Sequence, residues 1–97
     1  MQVLKFGGSS VANSENINKV AAVVQNALQK EKTIVVVSAL GGVTDALLHV
    51  AHLATKGDES FKQELQTIEV RHLDAVKELI PFSQQSSVLS MVKKSCN

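Results

Sequence analysis

"TIVVVSALGGVTDALL", residues 33 to 48, decides the fold. A compact run of Ile and Val suits a strand buried on both faces, and it breaks at Ser38 into a Gly-Gly turn. Beyond that turn Val43, Leu47, Val50 and Leu53 or Ala54 recur at helical spacing, and Gly57 is well placed to end the helix in a left-handed conformation. The stretch therefore reads as strand, glycine turn, helix, with the strand over 32–39. The same pattern stands at the start of the chain. "VLKFGGSS" (3–10) follows a short strand at 2–6, and Ile17, Val20, Ala21, Val24 and Leu28 then mark a helix that Asn13 or Ser14 can cap.

Working outward, Phe61, Leu65, Ile68, Leu73, Val76 and Ile80 run through charged residues and predict one long amphipathic helix over 59–79, stopped by Pro81. Val88, Leu89, Met91 and Val92 after a serine-rich start predict the beginning of a fourth helix. The fold class is α/β, with two parallel strands and about four helices. A parallel pair places both glycine turns at the carboxyl edge of the sheet, where ligands of open α/β sheets bind.

The 97 residues carry 10 Lys and Arg against 9 Asp and Glu, and three aromatic residues, all Phe. This balance gives no electrostatic footprint for nucleic acid or an anionic membrane, and few rings for base stacking. No apolar run approaches the roughly 18 residues of a spanning helix. The opening residues lack a signal peptide's apolar centre, and the single Cys96 cannot form an internal disulfide, so a cytoplasmic location is expected.

The two glycine turns are the chemical feature. Glycine lets backbone N–H groups approach a ligand closely, and the following helix start favours an anion. Lys5 supplies a mobile positive charge, while Ser9, Ser10, Ser38 and Thr44 can donate hydroxyl hydrogen bonds. Against this stands a plainer reading of tight turns, a snorkelling Lys5, a locally bonded Ser38 and a helix-capping Thr44 or Asp45. Neither G-x-x-x-x-G-K-[ST] nor G-x-G-x-x-G is present. His49 and His52 lack a supporting third ligand, His72 reads as a surface or anchoring residue, and Asp58 as a helix-end acid. Nothing forms a nucleophile–base pair.

"VLKFGGSSVAN", "VVVSALGGVTDALL" and "IEVRHLDAVKELI" resemble, in that order, the N-terminal segment of aspartokinases, and the opening is most similar to the kinase half of the bifunctional aspartokinase–homoserine dehydrogenases. The resemblance covers essentially the whole chain. It implies the three-layer αβα amino-acid-kinase sandwich and phosphorylation of the aspartate β-carboxylate with ATP and Mg2+. Lys5, Gly7, Gly8 and Ser9 would hold ATP phosphates, with Ser9 where the family more often has threonine. Ser38 would lie beside the transferred phosphoryl group, and Ser38, Gly41, Gly42 and Thr44 would line the aspartate site. Lys5 and Ser38 would then be the catalytic residues of this stretch.

The resemblance further implies that 1–97 is the incomplete N-terminal portion of a catalytic domain, inactive alone. Further substrate contacts would lie beyond Asn97, and NADP would be needed only if a homoserine dehydrogenase domain follows. A kinase for glutamate, carbamate or a nucleoside monophosphate, and a non-enzymatic binding or assembly module, are the other readings. Two parallel strands leave sheet edges unsatisfied, so the chain is also expected to self-associate as a homo-oligomer.

Overall fold

The computed structural model describes Met1–Cys96. The element order is β1 (Gln2–Phe6), α1 (Ser14–Lys30), β2 (Thr33–Val37), α2 (Val43–Thr55), α3 (Phe61–Leu79) and α4 (Phe82–Cys96). Two parallel strands and four helices match the expected class. The chain divides into two compact units, Met1–Thr44 and Asp45–Asn97.

In the first unit β1 and β2 pair in parallel, with Lys5 opposite Val36 and Phe6 opposite Val37. The ladder extends at both ends, as Gln2 N–H donates to the Lys32 carbonyl and Ser38 N–H to the Phe6 carbonyl. Along β1, Gln2, Leu4 and Phe6 are half-buried while Val3 and Lys5 are exposed, the period-two alternation of a sheet covered on one face. Helix α1 is the cover: the Gln2 side chain donates to its Ala27 carbonyl at 3.4 Å.

Helix α1 begins where short polar residues can take up its first free N–H groups. Of the two candidate caps the chain uses Asn13, whose side-chain oxygen accepts from Asn16 N–H at 2.9 Å. Ile17, Val20 and Val24 are half-buried, as their spacing predicts, but Ala21 and Leu28 are exposed and Ala27 is turned inward instead. Position 27 continues the 17, 20, 24 stripe by three residues, and 28 falls just past its edge.

The expectation for the second strand needs correction. β2 is shorter than 32–39, and Ile34, Val35, Val36 and Val37 are 40 to 57% exposed rather than buried on both faces. With one strand beside it and one helix against the sheet, a sequence suited to a doubly covered strand keeps its apolar side chains in contact with water. The buried hydrophobic residues among those described are Val11, Val43 and Ile68.

The second unit is helical. Helix α2 ends as expected at Gly57, with φ of 73°. Asp58 N–H donates to the Leu53 carbonyl and Gly57 N–H to that of Ala54, the paired bonds of a Schellman end that satisfy two orphaned carbonyls. Asp58 then opens the turn into α3: its carboxylate accepts from Ser60 N–H at 3.0 Å. That bond, with a second from the Ser60 side chain and a weaker attraction to His49, holds the Asp58 carboxyl below its ordinary value.

Helix α3 starts at Phe61, two residues later than its pattern suggests, and Ile68 is its buried residue. Pro81 ends it and leads directly into α4, where the Gln85 amide donates to the Lys77 and Ile80 carbonyls of the α3 terminus. That side chain joins the two helices by doing for α3 what a C-cap would do. His72 bonds within its own helix, its Nδ1 lying 2.8 Å from the Ile68 carbonyl. No helix of the described residues is long and apolar enough to cross a membrane.

Candidate functional site

The parallel pairing brings the carboxyl ends of β1 and β2 side by side, and the two glycine turns with them. Their contact is close. A Cβ added at Gly41 would lie 2.8 Å from the Gly8 carbonyl oxygen and 3.1 Å from the Ala12 Cβ. One added at Gly8 would meet the Gly41 Cα at 3.5 Å and the Ser38 hydroxyl at 3.7 Å. The second turn therefore needs a glycine at 41 because the backbone of the first turn occupies the space.

Each remaining glycine has its own account. Gly42 has φ of 83°, a left-handed conformation that other residues adopt only with strain. Gly7 meets neither condition: its φ is not positive, and an added Cβ would find no atom within 4 Å. Its carbonyl accepts from Ser10 N–H at 3.0 Å, closing a four-residue turn in which space beside residue 7 stays open.

Lys5 stands on the exposed face of β1, with Val36 opposite it on β2. The ladder bond from Ser38 N–H to Phe6 carries the alternation past β2, so Ser38 follows Val36 on the same face. Lys5 makes no ion pair with a described residue, whereas the N-terminus, Lys19 and Lys62 are paired to Glu31, Glu15 and Glu59. The Ser38 hydroxyl donates to the Ala39 carbonyl at 2.8 Å, the local bond that the plainer reading expects. It lies beside Gly8 all the same.

Thr44 and Asp45 do not cap α2. The helix starts at Val43, so both fall within its first turn, where Asp45 complements the helix dipole and Thr44 is exposed. Val43 N–H donates to the Leu40 carbonyl, which closes the turn ahead of the helix.

Two residues that touch the glycine turns went unread in the sequence. Ala12 packs against Gly41, and the Asn16 side chain donates to the Ser9 carbonyl at 3.0 Å. The signal for Asn16 was its position three residues after the Asn13 cap, where side chains reach back over a helix start.

A cavity of about 330 Å³ is lined by Phe6, Ser9, Ser10, Asn16, Lys19, Val20 and Val23. It borders the first turn through Ser9, Ser10 and Asn16, while Lys5, Ser38 and Gly41 do not line it. Among the described residues no three His, Cys, Asp or Glu side chains converge as metal ligands, and this includes His49 and His52.

Residues 1–92 match the sequence profile of the amino acid kinase family. The chain belongs to that family. It is 37% identical, over 98% of its length, to bifunctional aspartokinase/homoserine dehydrogenase 1, chloroplastic, of Arabidopsis thaliana. It is also 40% identical to the aspartokinase of Chlamydia pneumoniae over 82% of this chain, and 38% identical to Arabidopsis aspartokinase 1 over 79%. The chain spans 10% of the first of these relatives, 17% of the Chlamydia one and 14% of the last. Its two strands and four helices are a portion of the amino-acid-kinase fold.

Proposed function

We propose that this segment supplies the phosphate side of an ATP-dependent kinase site, and that the substrate is aspartate, phosphorylated on its β-carboxylate. The observation that carries the reading is the packing of the two glycine turns at one sheet edge, with Lys5, which makes no ion pair with a described residue, on the adjoining open face. Phosphoryl transfer asks of a protein mainly positioning and charge neutralisation, and a cradle of backbone donors plus one ammonium provides both. Gly7, Gly8 and Ser9 would receive the triphosphate, with Lys5 neutralising it. Ser38 would turn its hydroxyl from Ala39 towards the transferred group, while Gly41, Gly42 and Thr44 would face the amino acid.

The donor set fits a nucleotide's phosphates, since it is cationic and rich in N–H and O–H groups. Magnesium would enter on the phosphate oxygens. In the same reading residues 1–97 form part of a longer catalytic domain, incompetent alone, and act in the cytoplasm, although the plant relatives are named as chloroplastic. NADP belongs only to a form extended by a homoserine dehydrogenase domain.

The test is a substrate panel on a protein carrying this segment at the length of its relatives. With ATP and magnesium, acyl phosphate trapped by hydroxylamine is expected with aspartate, and not with glutamate or carbamate. Product with glutamate alone would replace aspartate by another acid; no product with any acid or nucleoside monophosphate would remove the kinase reading.

Self-association belongs to the same proposal. Ile34 to Val37 leave 40 to 57% of their surface in water, and both strands have an unpaired edge. Sedimentation of the chain is expected to show mass rising with concentration, and a monomer throughout would contradict it.

A further inference from the structure

We propose that Asn16 is a positioning residue for the first glycine turn, an assignment that rests on the phosphate-binding reading of that turn. Asn16 acts in two directions. Its backbone N–H donates to the Asn13 side chain at 2.9 Å, which fixes it at the start of α1, and its side chain donates to the Ser9 carbonyl at 3.0 Å. A carbonyl can only accept, so the amide nitrogen is the atom that meets it.

The Ser9–Ser10 peptide is consequently held from both sides. Its C=O is bonded by Asn16 and its N–H by the Gly7 carbonyl at 3.0 Å. Because the C=O and N–H of a trans peptide point in opposite directions, two such bonds fix the rotation of the whole plane. A Ser9 carbonyl released from Asn16 could swing into the turn, where its negative end would repel a phosphate oxygen. Asn16 keeps that oxygen engaged, while the Gly8 carbonyl is held against the second turn at Gly41.

A purely structural role predicts a different outcome on substitution. Position 16 lies in the first turn of a half-exposed helix, and alanine and leucine are better helix formers than asparagine. Asn16→Ala and Asn16→Leu should leave helix content equal or higher.

The probe is inorganic tripolyphosphate, which needs no nucleotide-base site, titrated into the ¹⁵N-labelled chain. Both variants are expected to weaken the apparent affinity read from the Gly7, Gly8 and Ser9 amides by about three- to ten-fold, the range of one net hydrogen bond. Amide exchange at Ser10 should quicken. Wild-type affinity in both variants overturns the assignment while leaving the phosphate reading intact, provided Lys5→Ala weakens binding in parallel. If Lys5→Ala binds as wild type does, or the wild-type chain gives no shift at these amides, the phosphate reading fails and the assignment falls with it.

Discussion

Lys5→Ala is expected to lower kcat/KM for ATP by about 100- to 1,000-fold in a kinase carrying this segment, the loss typical of removing one preorganised stabiliser of developing charge. An exposed lysine at the fourth position of a five-residue strand, Gln2–Phe6, contributes little to folding, and here no described carboxylate pairs with it. Removing it should leave the sheet intact. Its effect should therefore fall on the anion, with Lys5→Arg restoring only part of the rate, because a planar guanidinium does not reproduce a mobile point charge. Steady-state kinetics against ATP, with circular dichroism as the folding control, decide the matter. An unchanged kcat/KM would take Lys5 out of the site.

Gly41→Ala should damage the fold first and the site through it. The new Cβ would stand 2.8 Å from the Gly8 carbonyl oxygen and 3.1 Å from the Ala12 Cβ. Neither neighbour is the free end of a long side chain, so the two turns must separate. Overpacking of this kind costs about 1–3 kcal/mol, and for a chain of this size each kcal/mol lowers Tm by roughly 4–8 °C. Gly7→Ala is the contrasting case. With open space around residue 7 it should match or slightly exceed wild-type stability, since alanine restricts the unfolded chain, yet weaken tripolyphosphate binding by filling the ligand's approach. Thermal unfolding and titration of the two variants separate a glycine needed for packing from one needed for access. Equal stability of Gly41→Ala and wild type would show that the turns do not meet as described.

Much of this architecture is legible in the residues. The Ile-Val run, the helical stripes, Pro81 and Gly57 mark the element order because each acts locally, through spacing or a fixed backbone preference. Burial is less local. "TIVVV" reads as a strand covered on both faces, but covering depends on elements that the strand's own sequence does not contain. Leu28 shows the same limit on a smaller scale, its spacing apolar and its surface 55% exposed.

For the site, repetition of strand, glycine pair and helix is enough to place both turns at one edge. It is not enough to tell the glycines apart. Only the geometry distinguishes Gly41, crowded by Gly8 and Ala12, from Gly42, bent to positive φ, and from Gly7, which is open. Ala12 and Asn16 stayed hidden because one is small and unremarkable in composition and the other looks like part of a helix cap.

The central claim is that the paired turns form one anion cradle, with the first turn and Lys5 as its polyphosphate side. Its most direct test is the titration of tripolyphosphate into the wild-type ¹⁵N-labelled chain. The expected result is saturable shifts at the amides of Gly7, Gly8 and Ser9 that weaken with added salt, while residues 61–96 stay unmoved. Shifts that are absent from the glycine turns, or that gather instead around surface lysines such as Lys56, Lys93 and Lys94, would contradict it.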